Sequence, residues 1–360
     1  MQSALPELTK DTTIIGPGQN KLVIKAPAGA RHFTVSGNAD LTLSNVTLMG
    51  PDHPTDGQDN GGVKTYGGKL IMTNVTVKAC KTSYSANNHY AYGGGVDAYG
   101  SVEITGCTFD GNVAEGSGGG VYAFGSANIT NSAFTGNDGG GVSLEYYSAA
   151  ITNCTFTGNS RHGGVHAYAP CTIVNSTFIG NDSGNGGGIF LGEGGTVALC
   201  TVVGNEATNN GGGISIVNNK TANLYGNIIA GNKAVGSGNN VYHSIVGAQK
   251  WVDDRYDQDD LYNIIGEPVG FRLTEVFGTA SPALASNGGP TQTIALAPAS
   301  AARDKIPAAT LNSWGLLTQA NQDQRGMTRP SNANADIGAY ELQPPPTRRA
   351  ASPPPPATVR

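Results

Sequence analysis

The chain has 360 residues, a net charge of −5, only 13% charged residues and 53 glycines. No basic stripe is present to neutralise phosphates, which argues against a nucleic-acid partner. No run of 18 apolar residues occurs, so no helical segment of the sequence has the length and polarity to span a membrane.

In chain order, the first unusual stretch is the acidic loop 51–62, PDHPTDGQDNGG. From its end a motif recurs. Gly-Gly followed by Val or Ile places Val63, Val96, Val121, Val142, Val165, Ile189 and Ile214 in equivalent positions. Phe-x-Gly-Asn recurs at 109–112, 134–137, 156–159 and 178–181, with weaker copies at 202–205 and 229–232. From Val96 onward the steps are 21 to 25 residues. Such a period marks a repeat architecture. The runs between glycines alternate with period two and are rich in Val, Ile, Thr, Phe and Tyr, so they are strands.

One repeat holds about three short strands and three turns. A propeller blade would need an even strand count and about twice the length. The repeat fits one coil of an all-β parallel β-helix, and about ten coils are expected. Each strand pairs with the same strand one coil up, about 4.8 Å away. Corners need left-handed backbone, which Gly adopts freely and Asn tolerates next best. The glycine triplets and Gly-Asn pairs are therefore read as corners. Asn45, Asn74, Asn131, Asn153 and Asn175 form a further column, with Gly106 and Gly226 in the same place. Stacked Asn side chains can hydrogen-bond along such a column.

The five cysteines give an odd count. Cys107, Cys154 and Cys200 are equivalent by position, but Ser132 and Ser176 occupy the coils between them. Their spacing of about 9–10 Å, two strand separations, is too long for a disulfide. All five are expected to be reduced, as buried small hydrophobes.

The expected domains are coils over 1–266, a capping region over 267–342 at the C-terminal end, and a proline-rich linker over 343–360. A solenoid end needs a cover against edge pairing. TLNSWGLLTQ at 310–319 is the expected site of one short helix.

Function is sought on the Gly-Gly-Val strand. The Val or Ile points inward and the next residue outward. Outward positions then carry Tyr66, Tyr99, Tyr122, Phe124, Tyr168 and Phe190, although only 7% of the chain is aromatic. The loop 80–94 adds Tyr84, His89, Tyr90 and Tyr92 beside them. Aromatic rings stack on sugars, and Glu145 and His166 would orient hydroxyls, so the face is a candidate for binding a polysaccharide or cell-surface glycan. The competing reading is a ladder that only stabilises the sheet.

Catalytic candidates are weaker. Glu145 and His166 lie diagonally on adjacent coils, with Arg161 and His162 nearby, and a His beside a Glu can serve as a base. Asp97 and Glu145 are about 12 Å apart at Cα by strand geometry, beyond the separation of glycosidase carboxyl pairs. Two acidic loops are calcium candidates: Asp52, Asp56 and Asp59 in the first, and Asp253, Asp254 and Asp257 in WVDDRYDQDD at 251–260. Neither matches a defined calcium motif, and a solvated acidic loop is the commoner meaning. No other cofactor is implied.

The repeats resemble the polymorphic outer-membrane-protein repeats of bacterial surface β-helices. SNGGPTQTI at 286–294, DQRGMTRP at 323–330 and DIGAYE at 336–341 resemble the C-terminal signature of bacterial choice-of-anchor Q domain proteins. That resemblance covers residues 11–342 and implies a right-handed parallel β-helix of the pectin-lyase-like superfamily, exported to the cell surface or outside the cell. TIIGPG at 13–18 is similar to an early coil of the family, which implies further chain upstream with an export signal and a cap. The proline-rich stretch implies an anchor beyond it. The superfamily's lyases use a calcium held by several carboxylates with an Arg or Lys base, and its polygalacturonases use Asp clusters with Gly-His-Gly; neither pattern occurs here.

Three readings follow. The first is a non-catalytic adhesive or polysaccharide-binding protein, with other surface proteins as further candidate partners. The second is a polysaccharide lyase or glycoside hydrolase. The third is a purely structural solenoid.

Overall fold

The computed structural model describes residues 4–51, 59–84, 90–217, 220–243, 262–266, 272–316 and 320–344. Its core is a parallel β-helix. Nine strands of three residues stack into one sheet, beginning at Phe33–Val35 and ending at Val241–His243. Val63, Val96, Val121, Val142, Val165, Ile189, Ile214 and Val241 pair in one parallel register and are fully buried. Every strand pairing within residues 93–216 is parallel; one isolated antiparallel bridge, His162 with Ser183, sits at a corner.

A second sheet of 17 strands carries two strands from most coils. These meet at a residue with positive φ, as Ala127–Thr130 and Ala133–Thr135 do at Asn131, φ 52°. Asn45, Asn74, Asn153 and Asn175 share this conformation, with Gly106, Leu199 and Gly226 in the same column. The column is thus a corner. Its side chains link only in part: Asn74 donates to Asn45 at 3.4 Å and Asn153 to Asn131 at 3.2 Å, while Asn175 turns to the carbonyl of Gln322.

The continuous ladder lies elsewhere, at the Asn of Phe-x-Gly-Asn. Asn112 donates through Nδ2 to Asn137 Oδ1 at 3.0 Å, Asn137 to Asn159 at 2.9 Å, and Asn159 to Asn181 at 2.8 Å. Asn181, Asn205 and Asn232 continue it, and Asn240, just before the Val241 strand, ends it by accepting from Asn232. The second Nδ2 hydrogen of Asn159 goes to the Phe134 carbonyl, and Asn159 Oδ1 also accepts the Asn137 backbone N–H. Each interior amide thereby makes four hydrogen bonds while almost wholly buried, so none of its capacity is lost to desolvation. Beside the ladder, Phe109, Phe134, Phe156 and Phe178 stack at 4.7–4.9 Å with nearly parallel rings.

All five cysteines are free and buried. Ser132 and Ser176 separate Cys107, Cys154 and Cys200, and their hydroxyls accept the N–H of Cys107 and Cys154 at 3.1 Å. Burial pushes each thiol up to about 12.

The region after residue 272 lies along a flank of the solenoid instead of closing only its end. Thr155, Thr177 and Thr201, on three successive coils, bond to Gln292, Gln324 and Ala339. Ile179, Val203 and Ile228 pack with Val276, Phe277, Ile306 and Leu311 into a second apolar core, and Trp314 stacks on Tyr225 at 5.1 Å. The expected helix is Ala308–Ser313, and a second one is Leu273–Phe277; residues 317–319 lie outside the described residues, as does the linker from 345 onward. The two late motifs are internal joints of this segment. Asp323 receives three N–H groups of Arg325 and the Glu341 amide, and Arg329 meets Glu341 at 3.3 Å with both side chains fully buried.

Asn159→Ala should lower stability by about 3 kcal/mol or more, because it strands two donors of Asn137 and removes the bonds of Asn159 Nδ2 to Asn181 Oδ1 and the Phe134 carbonyl. The exposed Asn128→Ala should cost under about 0.5 kcal/mol. Denaturant midpoints of the two variants check this, and equal midpoints would remove the ladder from the account.

Candidate functional site

In the eight strands from Phe33–Val35 to Ile214–Ile216 the first and third side chains enter the core. The second points outward, yet Asp97, Tyr122, Ser143, His166, Phe190 and Ser215 are all buried. At Asp97, Tyr122, Phe190 and Ser215 the cause is the first glycine of the preceding triplet, which turns back over that position, while His166 is covered by the His162 ring. Gly118 has φ 70°, and a Cβ there would lie 2.7 Å from Tyr122 Cβ. Only glycine permits both the backbone angle and the approach.

The residue just after the strand is the accessible one. This column holds Tyr66, Tyr99, Phe124, Glu145 and Tyr168. Tyr66 stacks on Tyr99 at 6.2 Å, Tyr99 on Phe124 at 5.7 Å, and Phe124 meets Tyr146 at 4.4 Å. Tyr92, from the loop before the Val96 strand, lies flat on Tyr122 at 4.3 Å, with Tyr90 beyond it at 5.7 Å.

Two open depressions follow from this relief. One, of about 590 Å³, is lined by Glu145, Tyr146, Tyr168, Ala169, Pro170 and Glu193. The other, of about 390 Å³, is lined by Tyr90, Tyr92, Tyr99, Tyr122, Phe124, Glu145 and Tyr146. They share Glu145 and Tyr146, so together they form one groove along the solenoid axis. It crosses the five coils from Tyr99 to Glu193, about 19 Å at the strand spacing. Tyr146 is 67% exposed and Tyr168 49%, so two ring faces are open to a ligand.

Glu145 sits at the junction, half-buried. Burial raises its carboxyl above the usual range. Burial, and then the Glu145 charge, raises the phenols of Tyr92, Tyr122 and Tyr168. These hydroxyls therefore stay protonated at neutral pH and can donate as well as accept.

Of the expected binding residues, Tyr99, Phe124, Glu145 and Tyr168 line the groove, and Tyr122 reaches it only by an edge. Tyr66 extends the exposed ring ladder but lines neither depression. His166 and Phe190 do not belong to the site. Their rings stack at 4.2 Å under the returning chain, and Tyr168 and His162 close the sides at 4.9 and 5.1 Å.

The expected catalytic constellation is not assembled. Neither ring nitrogen of His166 has a hydrogen-bond partner, so His166 does not bond Glu145. Arg161, with φ 68°, is spent at a corner on Asp138 and on the carbonyls of Glu115 and Ala114. Asp97 is buried against Lys64 at 2.9 Å and Arg31 at 3.7 Å. No group of three His, Cys, Asp or Glu side chains is placed to hold a metal among the described residues. Asp52, Asp56, Asp253, Asp254 and Asp257 lie outside them, and so does the side chain of Asp59.

Tyr146, Pro170 and Glu193 are groove residues that strand alternation does not find, because they lie in turns. Tyr146 and Tyr147 were the available signal: two large residues stand where the coils of Tyr66, Tyr99 and Phe124 have Gly-Gly or Gly-Ser.

A family model for the right-handed β-helix region matches residues 94–246. The protein is a right-handed parallel β-helix. No curated protein and no solved structure matches the chain. No helix of the β-helix protein among its described residues is long and apolar enough to cross a membrane.

Burial, and secondarily His162, lowers the His166 imidazole to about 3. Above the unfolded-state value of 6.5 both states are neutral and the contribution is complete. As pH falls below 6.5 the unfolded chain takes up a proton that the folded chain refuses, so stability drops by about 1.4 kcal/mol per pH unit. His166→Phe should stack on Phe190 and flatten the slope between pH 6.5 and 4. Asp336, raised to about 6 by burial and then by Glu341, acts in the opposite sense between about 4 and 6 and persists in the variant. Denaturant midpoints of parent and variant across this range test the assignment; unchanged slopes would refute it.

Proposed function

We propose that the β-helix is a non-catalytic, polysaccharide-binding protein that works at the cell surface or outside the cell. The observation that carries the reading is the groove with Glu145 at its centre, walled by Tyr92, Tyr99, Phe124, Tyr146 and Tyr168. Rings spaced by one coil suit an extended glycan, whose monosaccharide repeat is close to the coil spacing. Each ring buried against a sugar face contributes about 1 kcal/mol, by analogy with aromatic pairs, and contacts along one polymer add by multivalency. The surface address rests on the resemblance of the late motifs to choice-of-anchor Q domain proteins and of the repeats to polymorphic outer-membrane proteins.

The hydrolase reading keeps one observation, the two carboxylates Glu145 and Glu193 lining the same depression. Release of reducing ends from a bound polysaccharide, abolished by Glu145→Gln, would favour it.

Tyr146→Ala with Tyr168→Ala should weaken glycan binding at least tenfold and shift the unfolding midpoint little, because both rings are exposed. Affinity electrophoresis against a polysaccharide panel, with unfolding curves alongside, reads both. Parent-like binding by the double variant would reduce the rings to a structural ladder.

A further inference from the structure

The groove has a definite charge character, and this deepens the polysaccharide reading on which it rests. Among the described residues its lining contains two carboxylates, Glu145 and Glu193, and no Lys or Arg. Lys220, Lys64 and Arg161 are engaged within the protein and not with a ligand. Lys220 meets Glu193 at 2.5 Å. Lys64 meets Asp97 at 2.9 Å and faces the Tyr66 and Tyr99 rings at 5.1 and 5.7 Å. Arg161 is held by Asp138 and two carbonyls. The remaining lining is phenol and phenyl rings with the apolar Ala169 and Pro170.

We propose that the ligand is an uncharged glycan lying along the solenoid axis, and that the groove rejects polyuronates. A carboxylated sugar laid over Tyr146 would bring its charge next to Glu145, in a half-buried setting where water screens poorly. No cation of the lining would compensate. An uncharged sugar meets rings for its C–H faces, and the phenol and carboxylate oxygens for its hydroxyls. Glu145, which unlike Glu193 has no ion pair among the described residues, thus selects against one ligand class as much as it binds another.

The test uses one polyuronate in two forms, fully methyl-esterified and de-esterified, together with a neutral β-glucan, at low ionic strength. The two uronate forms differ in charge and keep the same backbone. Affinity electrophoresis of the full chain should show retention by the glucan or the esterified polymer, and at least tenfold weaker retention by the de-esterified one. Added salt should narrow the gap, since screening acts on the repulsion. Glu145→Gln with Glu193→Gln should narrow it as well, in a variant whose unfolding midpoint matches the parent.

Equal or stronger retention by the de-esterified polymer would overturn the proposal. So would retention of that polymer on adding calcium, since the two carboxylates would then be holding a bridging cation. A gap that survives both Glu substitutions would also overturn it, because the selectivity would come from elsewhere. Retention by none of the three polymers would count against the glycan reading itself, and the charge inference would fall with it.

Discussion

The fold depends on a side-chain amide repeated once per coil. The buried Asn ladder, from Asn112 to Asn232, satisfies its interior amides only if the coils above and below offer an Asn in the same place. A single neutral hydrogen bond stabilises by about 1 kcal/mol, but a buried amide without partners costs more than that. The ladder therefore acts chiefly on register. A slip of one residue would turn every inward side chain outward and strand the amides together. Once the register is fixed, the Phe stack and the Val column follow at the spacing of the strands.

The same constraint makes one side of the solenoid need a cover. The residue between Phe and Gly-Asn points outward. In the early repeats it is Asp110, Thr135 or Thr157, and later it is Ile179, Val203 or Ala230. The apolar set is where residues 272–344 dock. Buried charges hold that segment to itself: Asp323 with Arg325, and Arg329 with Glu341. Such pairs add little net stability, yet removing one partner leaves a buried charge alone. Motifs that resemble a family signature are here the joints of a docked segment.

Much of this was legible in the sequence, and the exceptions have physical reasons. Period two and the Gly-Gly-Val spacing were enough for the parallel stack, and Asn45 through Asn175 showed their left-handed corner. The column from Asn45 to Asn175 links only in part, and the sequence did not show that the continuous ladder lies in the Phe-x-Gly-Asn column, because both columns contain asparagine. The flank position was written in the switch from Thr157 to Ile179 but needed the solvent side of the sheet to be known. At the candidate site, strand alternation gave the direction of Tyr122, His166 and Phe190 correctly but not their burial. Direction is a property of one strand, whereas burial depended on Gly118 and Gly186 turning over Tyr122 and Phe190 from the preceding corner, and on His162 over His166.

That distinction also explains why the groove lies where it does. The covered column locks the outer side chains into a layer of stacked rings and ion pairs, and so stiffens the base beneath the next column. Residues there rise from a backbone fixed by parallel pairing on both sides. Tyr99, Phe124, Glu145 and Tyr168 are therefore held before any ligand arrives, and little side-chain freedom is lost on binding. A flat sheet of the same composition would present isolated rings on mobile stems. Here the glycine that closes one column leaves the neighbouring one open, and the groove is the relief between them.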